Sequence, residues 1–245
     1  LQLVLIAVLT GAAFFAAAAD VSTNAPAGAP CQAMIQMSGS RYQLLLNCST
    51  YLIKGAFATN RLRDVTAAGA NCIVAPELET ADAVLDRAKD AGLMGAVVVR
   101  LEPDSGLVYA STQAVTAAAE KIRVHVRRLK THPRLVAWII NSRVSSSERQ
   151  NPAAYRAVNE LARILHLEDP NHIVISDVGL LTPDDIKARL SAEHCREVDA
   201  LGWTPGRGVT NLVETPAGAG WYKPFVILRA GVPPPTAAEH ASWGA

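Results

Sequence analysis

Short apolar runs alternate with helical patterns along most of this chain. The runs cover residues 51–57, 71–75, 96–101, 135–141, 172–177, 198–203 and 224–230. Residues 61–68, 81–91, 112–130, 152–166 and 183–194 carry apolar positions three and four residues apart, a spacing typical of amphipathic helices. Continuous apolar strands that alternate with helices indicate a parallel sheet covered by helices.

Two strands, 32–37 and 41–47, are predicted upstream around a Ser-Gly-Ser turn. In an antiparallel hairpin the positions of opposed residues have a constant sum, and a turn centred between residues 39 and 40 predicts a sum of 79. Cys31 and Cys48 share this sum and are therefore predicted to form a cross-strand disulfide. Cys72 and Cys195 are expected to remain free thiols. Asn47 begins an Asn-Cys-Ser glycosylation sequon.

The N-terminal region sets the expected compartment. Residues 1–19 are uncharged, almost wholly apolar and end in four alanines, a pattern typical of a signal peptide with its cleavage site. A helix of this length would span about 28 Å, so a membrane anchor is the alternative. Residues 20–30, rich in Ala and Pro, are predicted to be a linker. We therefore expect a secreted or otherwise extracytoplasmic protein, in the periplasm or outside the cell. Its segment 1–19 is either cleaved or retained as a membrane anchor.

Four stretches resemble the catalytic domain of family 2 glycoside hydrolases, the relatives of β-galactosidase and β-glucuronidase, in the family's order and spacing. They are 42–55 (YQLLLNCSTYLIKG), 127–138 (RRLKTHPRLVAW), 157–172 (AVNELARILHLEDPNH) and 220–231 (GWYKPFVILRAG). The resemblance implies a (β/α)8 TIM barrel over residues 51–245, preceded by a short β-hairpin at 31–50. Seven strands are recognisable and an eighth is missing, which implies that the barrel is truncated at its C-terminal end.

The resemblance also places the catalytic positions. Retaining glycosidases use two carboxylates about 5 Å apart. The family's acid/base phrase AWxxGNE corresponds to 137–143 (AWIINSR), with Arg143 at the glutamate, and its TEFG phrase corresponds to 228–231 (LRAG), with Arg229 at the nucleophile. Because arginine stays protonated, it can neither attack a sugar nor relay a proton. The resemblance thus implies a pseudo-glycosidase without catalytic residues, whose candidate cleft contains Arg100, Ser142 and Trp203 beside the two arginines.

Three functions remain open: an inactive structural or assembly subunit, a carbohydrate- or anion-binding module that uses the former cleft, and an active retaining glycosidase with relocated carboxylates. If the chain is an inactive subunit, Arg143 and Arg229 are expected to point into the same barrel mouth, at the carboxyl ends of the strands. Each is then paired with Glu77, Glu102 or Asp177. The third depends on acids that follow the predicted strands, namely Glu77, Glu79, Glu102, Asp104, Glu148 and Asp177.

Composition excludes several other partners. The six histidines show no metal-ligand spacing and no glycine-rich phosphate loop follows a strand, so neither a metal nor another cofactor is expected. With 23 basic and 22 acidic residues the chain is nearly neutral, and the basic run at 123–130 lies on a predicted outer helix, so nucleic acid is not an expected partner. A protein partner that covers the open barrel edge is expected, because the strand at 225–228 would lack a second parallel neighbour.

Overall fold

The computed structural model describes residues 32–38, 41–100, 111–141, 152–181, 196–205 and 224–227. Within these ranges the chain forms ten strands and four helices. In chain order they are β1 (Ala33–Ser38), β2 (Arg41–Leu46), β3 (Ser49–Thr50), β4 (Gly55–Ala56), α1 (Leu62–Ala67), β5 (Cys72–Ala75), α2 (Ala81–Asp90), β6 (Met94–Arg100), α3 (Thr112–Leu129), β7 (Leu135–Asn141), α4 (Pro152–Glu168), β8 (Ile173–Leu181), β9 (Ala200–Pro205) and β10 (Phe225–Ile227).

Seven strands form one parallel sheet in the order β10-β9-β8-β7-β6-β5-β4. Each of the seven predicted apolar runs overlaps one of them. The predicted (β/α)8 TIM barrel is nevertheless wrong, because in the described chain the sheet is open, with β4 and β10 as its edges. Closure needs hydrogen bonds between the first and last strands or through a strand that bridges them. The helix predicted at 183–194 lies outside the described residues.

A second, antiparallel sheet has the order β1-β2-β3. Its β1–β2 register pairs Ala33 with Leu46 and continues to the turn, which confirms the predicted sum of 79. The predicted simple hairpin is incomplete, since β3 pairs back onto β2. Asn47 and Cys48 make that second reversal with φ values of 50° and 65°, the left-handed conformation that a two-residue type I′ turn requires.

The parallel sheet separates two apolar layers. Its outer face packs against the helices, where the large buried side chains include Ile73, Val97, Trp138, Leu85, Val126 and Leu161. Its inner face packs against the antiparallel sheet, through Val74, Val98, Ile139, Ile175, Leu44, Leu46 and Ile53. Strands buried on both faces carry apolar residues at consecutive positions, which explains the continuous runs in the sequence.

Helices α3 and α4 are linked through Glu168. Its carboxylate accepts a hydrogen bond from Arg127 Nε at 2.8 Å and forms an ion pair with Arg123, whose Nε lies 3.0 Å away. The hydrogen bond from Arg127 lowers the pKa of Glu168. Arg128 pairs with Asp82 of α2 at 2.7 Å. The basic run at 123–130 therefore belongs to an outer helix surface whose arginines are paired with acids from neighbouring helices.

The expectations for the N-terminal region fall on residues 1–30, which lie outside the described ranges. Among the helices that are described, none combines the length and the apolar character needed to cross a bilayer.

Candidate functional site

A row of aligned residues crosses the sheet at the level where β6 and β7 end, while β8 and β9 continue beyond it. Arg100 of β6 is in register with Asn141 of β7, which is in register with Asp177 of β8. The row continues through Gly202 of β9 to Val226 of β10. Because neighbouring residues in parallel strands share a face, these positions form a single band at the carboxyl edge. Carboxyl edges of parallel strands are where α/β proteins usually carry their sites.

The band belongs to the inner face of the sheet. Val98 and Ile175 are buried in the inner layer, and side chains alternate along a strand, so Arg100 and Asp177 project from that same face two residues later. Arg100 is exposed and Asp177 is half-buried. They are two strands apart, which corresponds to about 10 Å between their Cα atoms. A cation and an acid thus project from the inner face of the sheet, beyond its apolar layer.

The other candidate residues of the cleft are placed only in part. Trp203 lies in β9, where its backbone is in register with Gly179 and Ile227. Ser142, Arg143 and Arg229 lie outside the described residues, so their proposed positions in one mouth and their acid partners remain predictions. Strands β7 and β10 end at Asn141 and Ile227, two residues before the two arginines.

The modification sites lie in the antiparallel sheet, away from this edge. Asn47 is half-buried, and its Oδ1 accepts the Gln32 N–H at 3.0 Å. Cys48 is an exposed free cysteine in the β2–β3 turn. Its proposed partner Cys31 is not among the described residues, so the disulfide stays a prediction. The expected free thiol of Cys72 is confirmed, and burial raises its pKa to about 12.

A buried polar cluster at the opposite end of the sheet is absent from the sequence expectations. Asp169, 1% exposed, accepts the Trp138 indole N–H at 2.8 Å and the Asn171 backbone N–H at 3.1 Å. His172 Nδ1 lies 2.7 Å from the same carboxylate. The DPNH segment at 169–172 was the available signal, since an acid directly after a helix is a common cap and turn residue. This position, at the amino-terminal end of β8, points to a structural role.

Metal ligation finds no support in the described part of the chain, where no three His, Cys, Asp or Glu side chains cluster in a way that could hold an ion.

The fold is similar to that of family 2 glycoside hydrolases. No family model and no curated protein matches the chain, so this likeness rests on solved structures. A β-galacturonidase of this family from Eisenbergiella tayi matches with a TM-score of 0.55 and 15% identity over 80% of this chain and 38% of that one.

Two β-glucuronidases give comparable matches. Bacteroides uniformis β-glucuronidase 3 has a TM-score of 0.52 and 16% identity over 78% of this chain and 28% of its own. The Dictyoglomus thermophilum β-D-glucuronidase has a TM-score of 0.52 and 14% identity over 73% of this chain and 33% of that enzyme. At these identities the likeness shows the fold alone. The chain spans only about a quarter to two fifths of these enzymes' lengths.

Proposed function

We propose that this chain is a glycoside-hydrolase-like protein without glycosidase activity, which serves as a structural or assembly subunit. The observation that carries the proposal is the position of the strand ends. Because β7 ends at Asn141 and β10 at Ile227, Arg143 and Arg229 each follow the carboxyl end of a parallel strand by two residues. These are positions from which a retaining enzyme with such a sheet would supply its two acids.

Among the described residues near this edge, the acids do not offer an evident replacement pair. Retaining hydrolysis needs one carboxylate as nucleophile and another as acid/base, about 5–5.5 Å away. In the band from Arg100 to Val226, Asp177 is the single acid. Glu77, which follows β5, is exposed and is separated from β8 by two intervening strands. One carboxylate beside a guanidinium cannot perform both roles in the same step.

The test is an assay of the purified chain on aryl β-glucuronides, β-galacturonides and β-galactosides, beside Asp177→Asn and Glu77→Gln variants. We expect no turnover above the uncatalysed rate from any of the three. Turnover by the parent chain that is lost in either variant would instead establish an active glycosidase with relocated carboxylates. Turnover unaffected by both variants would also refute inactivity, and would place the chemistry on other acids.

A partner and an extracytoplasmic location complete the proposal. The edge positions of β4 and β10 in the described sheet support a protein partner, because an unpaired strand edge is a template for another chain. The uncharged apolar segment at 1–19 supports secretion or anchoring to a membrane. Both can be tested by expressing the protein with its N-terminal segment and analysing which fraction holds it, and which proteins co-purify with it.

Anion or carbohydrate binding at the same edge is a second candidate function, favoured by the exposed guanidinium of Arg100 on the inner face. A guanidinium binds carboxylate, sulfate and phosphate through paired hydrogen bonds. Calorimetric titration with glucuronate, sulfate and phosphate would measure this. An Arg100→Gln variant should lose the binding, whereas Arg63→Gln, at an exposed position of α1, should keep it; equal affinities in both variants would contradict a site at Arg100.

A further inference from the structure

Strand β1 has an unoccupied hydrogen-bonding edge within the described structure. The C=O of Gln32 accepts the N–H of Asn47 at 2.8 Å. Antiparallel pairs alternate between bonded and non-bonded positions, so residues 34, 36 and 38 bond to β2. The backbone groups of Ile35 and Met37 consequently point away from β2. At the start of the strand the outward N–H of Ala33 is already used, donating to the Asn171 C=O at 2.7 Å.

This edge lacks the features that usually protect a strand from pairing. Natural edges carry charges, proline or bulges, whereas β1 reads AMIQMS and its register with β2 is regular throughout. On one face of β1 the side chains become more exposed along the strand. Ala33 is buried, Ile35 is half-buried and Met37 is 64% exposed. On the other face Met34 is 42% exposed.

We propose that β1 is an association edge for a second copy of this chain, which pairs with it antiparallel about a twofold axis at Gln36. In this register Ile35 faces Met37 of the partner subunit, and the outward N–H and C=O groups of both residues become bonded. A register centred at Ile35 would require the outward N–H of Ala33, which already donates to the Asn171 C=O.

The strand's own composition is compatible with a second copy as the occupant. In a twofold pair each position meets a residue of the same short segment, so any charge in β1 would face or neighbour its own kind. Because β1 carries no charge, self-pairing meets no such repulsion. It also covers the exposed Met37 with Ile35 of the partner subunit. This surface is separate from the carboxyl-edge band and goes beyond the function proposed above.

The test compares two substitutions of the same kind on adjacent strands. Gln36 and Gln43 are exposed cross-strand neighbours, but Gln43 lies on the central strand β2. We expect sedimentation equilibrium of the purified chain to show monomers and dimers. Gln36→Lys should raise the dissociation constant about fivefold, because the two lysines would face each other, whereas Gln43→Lys should leave it nearly unchanged.

A mixing experiment tests the pairing directly. Gln36→Lys chains and Gln36→Glu chains should associate with each other more tightly than either variant does with itself. Met37→Pro is a second test and should also weaken the association, since it removes an outward N–H without removing a bond to β2. Circular dichroism checks that each variant folds. A chain that stays monomeric at millimolar concentration overturns the proposal. Equal dissociation constants for the lysine variants at 36 and 43, or no preference in the mixture, would overturn it equally.

Discussion

Asp169 is predicted to be a major contributor to stability, although it lies at the end of the sheet opposite the candidate site. Its carboxylate accepts the Trp138 indole N–H and the Asn171 amide and lies 2.7 Å from His172 Nδ1. Trp138, Asp169 and His172 are each at most 2% exposed. The cluster joins β7, the end of α4 and the start of β8, so its loss affects the centre of the sheet.

Replacing Asp169 by alanine would leave a buried indole N–H and the imidazole without this acceptor. Each buried polar group left unsatisfied costs about 1–3 kcal/mol, so the loss of the acceptor for two such groups costs about 2–6 kcal/mol. We expect Asp169→Ala to lower the free energy of unfolding by about 2–6 kcal/mol. Asp169→Asn, which keeps the size and one acceptor oxygen, should cost less. Trp138→Phe should cost about 1–2 kcal/mol beyond its lost packing.

Urea unfolding followed by circular dichroism measures these differences through the midpoint and slope. Asp64→Ala is the matched control, because the Arg61–Asp64 pair is exposed and surface pairs contribute between about 0 and 1 kcal/mol. A double-mutant cycle between Asp169 and Trp138 should give a coupling free energy of at least about 0.5 kcal/mol. The reasoning fails if Asp169→Ala is no more destabilising than the surface control.

Three further predictions concern other sites. Gly95→Ala should destabilise by about 1–3 kcal/mol in thermal or urea unfolding, because the added Cβ would overlap the buried Leu85 side chain; a neutral change would mean that Leu85 rearranges freely. In a Cys31→Ser background, which excludes the predicted disulfide, Cys48→Gly should stabilise by up to about 1 kcal/mol in the same assay, since Asn47-Gly suits a type I′ turn and cysteine does not; destabilisation would contradict that turn. The native Cys72 thiol should resist an aromatic disulfide reagent until the chain unfolds. With a native pKa raised from 9.0 to about 12, Cys72 should reduce stability as pH rises above 9, where its unfolded thiol ionises first, a trend that Cys72→Ala should weaken.

The secondary structure was largely encoded locally. Apolar runs and three- to four-residue spacing placed every strand of the parallel sheet and helices α1 to α4, with most boundaries within about two residues. The turn at 38–40 likewise predicted the β1–β2 register. These features depend on neighbouring residues alone, through alternation in strands, periodicity in helices and the conformational preferences of turns.

Closure of the sheet and the make-up of the polar clusters were decided by tertiary structure. Local periodicity is the same for a strand at an edge and for one in a closed barrel, so the open edge at β10 was predicted only from the resemblance, through its missing eighth strand. The band joining Arg100 to Asp177 depends on the register between β6, β7 and β8, which couples residues far apart in the chain. The same is true of Asp169 and Trp138, whose contact requires α4 to return the chain beside β7. Strand pairing and long-range packing select such contacts, because their free energy comes from burial and hydrogen bonding that exist only after the elements assemble.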